Sequence, residues 1–120
     1  MANTPLALGI DLGTSGVRIA VIDSSRSLLF SAATLYRQGL QAPSDWIRAV
    51  TELIPSIPTP LRRPLGAVAV AGTSGTPLAC THQGDPLGDA LPYHQACPEQ
   101  IEKVRDLIAE DGPACSASSS

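Results

Sequence analysis

The stretch "LALGIDLGTSGVRIAVID" (residues 6–23) constrains the fold more than any other part of this chain. It begins with an apolar run up to Asp11, which is typical of a strand buried on both faces. Residues 17–22 form a second, alternating apolar run that also predicts a strand. Gly13 and Gly16 lie between the runs, and glycine has the conformational freedom that hairpin turns need. The stretch therefore predicts a β-hairpin with one carboxylate at the end of its first strand.

A third strand is predicted at residues 28–36, "LLFSAATLY", after the turn at 23–27, which completes an antiparallel meander of three strands. The hydrophobic period then changes to that of an amphipathic helix. Ser44 is a plausible N-cap for this helix, and Pro55 is expected to end it. The apolar face expected for the helix consists of Trp46, Ile47, Val50, Leu53 and Ile54.

The second half of the chain alternates short apolar runs with turn residues. Residues 55–64 hold four prolines and are expected to form a linker-like connection. Residues 65–72 predict a short buried strand, residues 77–81 predict another, and "HQGDP" (82–86) predicts a turn. A last helix is predicted from Pro98, with Ile101, Val104 and Ile108 on its apolar face and Gly112 and Pro113 at its end.

Composition excludes several classes of function. The chain has 120 residues, 43% of them apolar, a net charge of −3 and 3% aromatic residues, so neither a basic patch nor a stacking platform for nucleic acid is present. No apolar run reaches the roughly 20 residues of a membrane span, and no signal peptide is visible at the N-terminus. Cys80, Cys97 and Cys115 lack metal-binding or disulfide spacing and are expected to be free thiols that fill small apolar spaces. These features predict a cytoplasmic protein without nucleic-acid or membrane partners.

The tetrapeptide "GTSG" occurs at residues 13–16 and again at 72–75, each time between two predicted strands. The functional interpretation is that two strand ends deliver similar loops to one place, where backbone N–H groups can form an anion-binding concavity and Thr and Ser add hydroxyl donors. The alternative is a pair of ordinary tight turns, the first of them capped by Asp11. Neither turn matches the P-loop pattern, which needs a following Gly-Lys-Ser/Thr.

The motif "GIDLGTSGVRIAVID" resembles the first phosphate-binding motif of the FGGY carbohydrate kinases, which belong to the actin-like ATPase superfamily. The block "VAVAGTSGTPLACTHQGDPLGDALPYHQACPEQ" (68–100) resembles the next block of those kinases, and the resemblance covers nearly all of residues 6–120. Within the family it favours the xylulokinase-like proteins of the D-ribulose kinase branch. The resemblance implies an α/β fold of the ribonuclease H-like type, with a mixed sheet that starts with the antiparallel meander and is packed with helices.

The resemblance also implies an activity and a set of site residues. The activity is transfer of the γ-phosphate of ATP to a hydroxyl of a small ketose, D-ribulose ahead of D-xylulose, with Mg²⁺ as the metal. Asp11 is expected to orient the metal, and Gly13, Thr14 and Ser15 are expected to face the nucleotide phosphates. Sugar contacts are expected from Ser74, Gly75, Tyr93, His94 and Gln95, although relatives carry Asn-Asp-x-Arg where this chain has "HQAC" (94–97).

Residues 1–120 match only the first part of the N-terminal lobe of these kinases. The catalytic-base Asp of the family is expected beyond Ser120, so the chain by itself is expected to be inactive and to associate with itself through apolar surfaces. Two alternatives remain at this point: a non-catalytic binding or structural module of the same fold, and a lobe of another actin-like ATPase. The second "GTSG" block disfavours the latter.

Overall fold

The fold is built on a four-stranded mixed sheet. The computed structural model describes residues 5–96 and 98–111. The strands are β1 (Leu6–Leu12), β2 (Gly16–Ile22), β3 (Leu28–Leu35) and β4 (Leu65–Gly72), in the spatial order β3-β2-β1-β4. The pairs β1–β2 and β2–β3 are antiparallel, and β4 pairs parallel with β1. The predicted meander and the predicted strand at 65–72 are both confirmed.

Local hydrogen bonds close the two turns of the meander. In the first turn, the N–H of Gly13 donates to the carbonyl of Gly16 over 2.8 Å. In the second turn, Asp23 Oδ1 accepts from the N–H groups of Ser25 and Ser27, each over 2.9 Å, and Arg26 takes a positive φ of 66°. These bonds satisfy backbone donors that the strand ladders leave unpaired.

The helices are α1 (Pro43–Leu53), α2 (Thr59–Arg62) and α3 (Pro98–Asp111), and one 3-10 turn (Ile54–Ser56) follows α1. The prediction that Ser44 caps α1 was wrong. Ala42 holds the N-cap position without a side-chain hydrogen bond, and Pro43 stands at the first helical position, where its fixed φ and missing N–H are tolerated. The α-helical conformation ends just before Pro55, as predicted, and the proline-rich connection contains the short helix α2.

The hydrophobic core lies on one face of the sheet, between the meander, α1 and the 3-10 turn. Its buried members are Leu6, Leu8, Val17, Ile19, Val21, Ala49, Leu53 and Ile57. The opposite face carries mostly small side chains, such as Gly9, Ala20 and Ala69, which pair side by side across β1, β2 and β4. The expectation that β1 is buried on both faces was therefore wrong, and Asp11 is exposed.

Burial of β4 was also mispredicted. Val68 and Val70 are 61% and 62% exposed, because β4 lies at the edge of the sheet beside β1, whereas α1 packs over β2 and β3. The predicted strand at 77–81 is absent, and Cys80 forms only an isolated bridge with Pro86. Pro77 and Pro86 lack the N–H that a longer ladder would need. The turn predicted at 82–86 is present, with Gly84 at φ 90°.

The apolar faces of the helices differ from the expected ones. In α1 the buried residues are Pro43, Asp45, Ala49 and Leu53, while Trp46 is half-buried and Ile47 is 63% exposed. The predicted helix from Pro98 is confirmed as α3, but Ile101 and Val104 on its apolar face are exposed. Cys80 is exposed and unpaired, so its expected role as a small core residue was wrong.

The expected end of α3 at Gly112 and Pro113 lies outside the described residues, as do Cys97 and Cys115. None of the helices in the described part of the chain is long and apolar enough to cross a membrane.

Candidate functional site

The two "GTSG" turns lie at the same edge of the sheet. Because β1 and β4 run parallel, their carboxyl ends point the same way, and Leu12 pairs with Gly72 at the last position of the ladder. The N–H of Thr73 then donates to the carbonyl of Leu12 over 3.2 Å, which joins the second turn to the end of β1. Residues some 60 positions apart in sequence are thus placed side by side.

The first turn borders a shallow pocket of about 300 Å³. The pocket is lined by residues of β1, the turn, β2 and β3: Asp11, Gly13, Thr14, Ser15, Gly16, Val17, Arg18, Ala33, Thr34 and Leu35. The structure therefore brings together all four residues predicted to contact phosphate or metal. In the described part of the chain, nothing accepts a hydrogen bond from the N–H of Thr14 or Ser15, and both residues are exposed. These N–H groups are available to an anion.

Arg18 belongs to this pocket although the sequence reasoning did not single it out. It stands directly opposite Asp11 in the antiparallel ladder of β1 and β2, on the same face of the sheet. The signal was present in the sequence, since the alternation of β2 places Arg18 on the face opposite Val17 and Ile19. The pocket thus contains one carboxylate for a cation and one guanidinium for an anion.

Among the described residues that line this pocket, Asp11 supplies the only carboxylate. Across the described residues, no group of three or more His, Cys, Asp or Glu side chains is arranged to hold a metal ion. A divalent cation at Asp11 would need further oxygen ligands from a bound phosphate or from water. Such sharing is the usual way in which Mg²⁺ is held, through one or two carboxylates together with substrate phosphates.

The second turn lies against the segment that was predicted to contact sugar. Gly75 has a positive φ of 69°, and a Cβ atom at Gly75 would lie 3.3 Å from Cβ of Tyr93. Tyr93 and His94 make an edge-on ring contact, with centroids 5.1 Å apart. Ser74, His94 and Gln95 are exposed, and the N–H of Gln95 donates to the carbonyl of Pro92 over 2.9 Å. The structure brings Gly75 and Tyr93 together and places Ser74 beside Gly75.

A second, smaller cavity of about 100 Å³ lies between the ends of β1 and β4 and the loop before α1. It is lined by Leu12, Leu40, Trp46, Gly72, Thr73 and Thr76. The hydroxyls of Thr73 and Thr76 lie 3.0 Å apart, and the indole N–H of Trp46 donates to the carbonyl of Leu40 over 2.7 Å. Thr73 and Thr76 were not among the predicted site residues, although they flank Ser74 and Gly75 in sequence.

Tyr36, immediately after β3, makes two hydrogen bonds to the first turn. Its N–H donates to the carbonyl of Ser15 over 2.9 Å, and its hydroxyl donates to the carbonyl of Gly13 over 3.0 Å. Burial raises the pKa of Tyr36, and the negative charges of Asp45 and Asp11 raise it further. The hydroxyl therefore stays protonated at neutral pH and remains a donor. No sequence pattern indicated this role, because Tyr36 is 23 residues from Gly13 in the sequence.

Asp45 in α1 is the one buried charged side chain of the described residues, with 3% exposure. Its carboxylate accepts hydrogen bonds from the N–H groups of Arg37 and Gln38, each over 2.6 Å, and from Nε of Arg48 over 2.7 Å. The N–H of Gln38 is the main cause of the lowered pKa of Asp45, and the bond from Arg48 adds to it. The same bond with Asp45 raises the pKa of Arg48.

These contacts predict that Asp45 makes stability depend on pH in the acid range. Because the folded-state pKa of Asp45 lies below the ordinary value of about 4, the stabilisation is complete above that value. It is lost as the pH falls through the lowered pKa, since the protonated carboxyl accepts these bonds poorly. Urea unfolding of wild type and Asp45→Asn between pH 7 and pH 2 measures the effect. We expect wild type to be the more stable at pH 7, with the difference shrinking towards pH 2.

Glu52→Gln is the matched control for this measurement, because Glu52 lies two turns further along α1 and is exposed. The same change from carboxylate to amide is expected to leave the acid transition close to that of wild type, since exposed ion pairs contribute little. A stability difference between wild type and Asp45→Asn that stays constant down to pH 2 would contradict the prediction.

Comparison with known proteins shows a shared fold. No family model matches the sequence. Among solved structures, the chain is similar to a xylulose kinase from Brucella ovis, with a TM-score of 0.75 and 20% identity over 88% of this chain and 24% of that protein. It is also similar to a gluconate kinase from Lactobacillus acidophilus, with a TM-score of 0.73 and 14% identity over 88% of this chain and 23% of that protein.

A xylulose kinase from Bifidobacterium adolescentis matches 93% of this chain and 22% of its own length, with a TM-score of 0.71 and 20% identity. The chain therefore spans about a quarter of the length of the kinases that it matches. The chain has the α/β fold of part of the N-terminal lobe of sugar kinases of the actin-like ATPase type, as predicted from its sequence.

Proposed function

We propose that residues 1–120 are the N-terminal part of an ATP-dependent carbohydrate kinase that phosphorylates a hydroxyl of a small ketose. One observation carries the proposal: two "GTSG" turns meet at the carboxyl ends of parallel strands, and the first has Asp11 beside it. Phosphoryl transfer needs donors around the phosphate oxygens, a metal to spread charge and a positioned acceptor hydroxyl. At one edge of the sheet, the first turn supplies free backbone N–H groups and the second supplies the neutral hydroxyl of Ser74.

The first turn fits the phosphates of a nucleotide. The free N–H groups of Thr14 and Ser15 and their hydroxyls are donors that a phosphate oxygen accepts from, and Arg18 adds a positive charge in the same pocket. A Cβ atom at Gly13 would lie 3.1 Å from the carbonyl oxygen of Gly16, so glycine at this position lets the turn close tightly. We assign ATP to this turn.

Asp11 fits a Mg²⁺ ion that is shared with those phosphates. Its carboxylate is exposed at the end of β1 and borders the same pocket as the donors of the turn. When bound, the metal neutralises negative charge on the transferred phosphoryl group. Asp11 itself holds and orients the ion through its oxygens, directly or through water.

The second turn is assigned to the sugar. Ser74 offers a neutral hydroxyl that can both donate and accept, as a sugar hydroxyl requires. Gly75 lies against Tyr93, so the segment carrying Tyr93, His94 and Gln95 is within the same region. We place D-ribulose ahead of D-xylulose on the sequence resemblance, and the catalytic base in a part of the protein beyond Ser120.

The test is an assay of the longer protein that carries this segment, measuring ADP release with ATP and Mg²⁺ against a panel of sugars. We expect release to depend on a ketose, with D-ribulose giving the highest kcat/KM and D-xylulose the next. ATP hydrolysis that is indifferent to every sugar would contradict a sugar kinase and favour another ATPase of this fold. A higher kcat/KM with gluconate would contradict the assignment to a ketose.

Ser74→Ala is expected to weaken sugar binding with little effect on ATP. The substitution removes one neutral hydrogen bond, worth about 0.5–1.5 kcal/mol, so the KM for the ketose should rise several-fold. Steady-state kinetics with each substrate varied in turn measures the split. Ser24→Ala, at an exposed position of the turn between β2 and β3, is the matched control and should leave both KM values unchanged. A rise in the KM for ATP alone would mean that the second turn faces phosphate.

A further inference from the structure

Hydrogen bonds connect the start of α1 to the first "GTSG" turn across the end of β3. Asp45 accepts from the N–H groups of Arg37 and Gln38, so the two residues that follow Tyr36 are fixed to α1. Tyr36 itself bonds to the turn twice, through its N–H and through its hydroxyl. Tyr36 is therefore bonded to the turn, and the two residues that follow it are bonded to the buried carboxylate of Asp45.

Arg48 adds a second connection between α1 and the same strand end. Its Nε donates to Asp45 Oδ1 over 2.7 Å, and its Nη2 donates to the carbonyl of Leu35 over 2.9 Å. Leu35 pairs with Gly16, the last residue of the turn, in the ladder of β2 and β3. Gly16, at one end of the turn, is thus connected to α1 through Leu35. Gly13, at the other end, is connected to α1 through Tyr36 and the residues that follow it.

The chemistry of these contacts favours a fixed geometry. Asp45 is buried and each of its three bonds is to a donor that would otherwise be left unpaired or would pair with water, so the arrangement is costly to rearrange. None of the described buried side-chain nitrogen or oxygen atoms lacks a partner, so the network is complete as it stands. The turn, in contrast, has exposed residues and free N–H groups, and by itself it would be mobile.

We propose that Asp45 and Tyr36 are positioning residues that hold the turn at 13–16 in the one shape in which its free N–H groups converge on the pocket. The hydrogen bonds from α1 to the turn are made within the protein and require no ligand. Their consequence, a preformed phosphate site, rests on the proposed function. Neither residue lines the pocket, and each acts through another group: Asp45 through the segment at 36–38, and Tyr36 through the carbonyl of Gly13.

Amide hydrogen exchange on the chain, read residue by residue by NMR without nucleotide, tests the proposal. Tyr36→Phe removes only the bond to Gly13, so exchange at Gly13 and at residue 36 should become about 2- to 10-fold faster, the equivalent of one hydrogen bond. Exchange at Ile19 and Ala20, in the middle of β2, should stay within about twofold of wild type. Equal acceleration at all four amides would reveal general destabilisation and overturn the proposal.

Asp45→Asn tests the other end of the connection, with Glu52→Gln as its control. We expect Asp45→Asn to accelerate exchange at Gly13 and Tyr36 more than in β2, although Asp45 touches neither amide. Glu52→Gln, which also contacts Arg48, should leave the turn as it is in wild type. The same pattern in both variants, or no selective change at the turn in Asp45→Asn, would overturn the assignment of Asp45.

A titration with MgADP of the longer protein that carries this segment separates this proposal from the proposed function. We expect Tyr36→Phe to weaken binding about 2- to 10-fold relative to wild type, because the free turn must be ordered on binding. If neither protein binds MgADP, the assignment of the turn to phosphate fails, while the exchange pattern still decides whether Tyr36 and Asp45 position it.

Discussion

Asp11→Asn is expected to lower the kcat of the kinase by about 10²-fold or more, by analogy with the loss of other electrostatic stabilisers. Asparagine keeps the shape of the side chain but removes the charge that orients Mg²⁺ at the end of β1. Because that charge is needed mainly while phosphate is transferred, the loss should fall on kcat and leave the KM for the sugar little changed. Steady-state kinetics of the longer protein that carries this segment measures both values.

The fold should not change in this variant, which makes the kinetic result interpretable. Asp11 is exposed, and no described residue donates a hydrogen bond to its carboxylate, so Asp11→Asn should melt within a few degrees of wild type. Asp89→Asn is the matched control, since Asp89 is exposed and lies outside the pocket of the first turn, and it should keep full activity. Full kcat in Asp11→Asn would mean that the first "GTSG" is only a tight turn, and the kinase assignment would lose its best residue.

Gly16→Ala is expected to destabilise the fold by about 1–3 kcal/mol or more, the usual range for overpacking. A Cβ atom at Gly16 would lie 2.2 Å from the carbonyl oxygen of Thr34 and 2.8 Å from Cα of Leu35. Both are backbone atoms of β3, so no side chain can rotate away, and β2 and β3 must separate at the point where the turn ends and β2 begins. Urea unfolding of the chain measures the loss, and the turn at 13–16 should lose its exchange protection as well.

Gly9→Ala is the control for this prediction, because Gly9 lies in the neighbouring strand β1. The nearest atom to its added Cβ would be 4.0 Å away, an ordinary contact. The substitution is expected to be neutral or to stabilise slightly, since glycine within a strand is less favourable than alanine by roughly 0.5–1 kcal/mol. If both variants lose the same stability, the close approach of Gly16 to β3 is not the cause.

Much of the fold was predictable because its signals are local. The alternation in residues 17–22, the continuous apolar runs at 6–11 and 65–72, and the glycines between strands depend only on neighbours along the chain. The same holds for the start of α3 at Pro98 and the turn at 82–86. The motif around Asp11 also located the first pocket, because a turn of four residues keeps its donors close together wherever the sheet lies.

Burial was predicted less well, because it depends on what covers a strand rather than on the strand itself. The residues of β4 are as apolar as a core strand, yet they are exposed at the edge of the sheet. In α1 the spacing of apolar residues suggested a face through Trp46 and Ile47, but the helix is turned so that Asp45, Ala49 and Leu53 face inward. Asp45 can be buried at that position because three hydrogen-bond donors compensate its carboxylate for the loss of water.

The sequence by itself determined the strands, the two "GTSG" turns and the carboxylate beside the first of them. Only the tertiary structure decided that the two turns meet, since parallel pairing of β1 with β4 requires a crossover through α1. It also decided which groups support the first turn: Tyr36 reaches Gly13 across 23 residues, and Asp45 reaches the segment after Tyr36 across seven and eight. Such bonds join residues from different elements, so they form only when packing brings the elements together, and no periodicity in the chain records them.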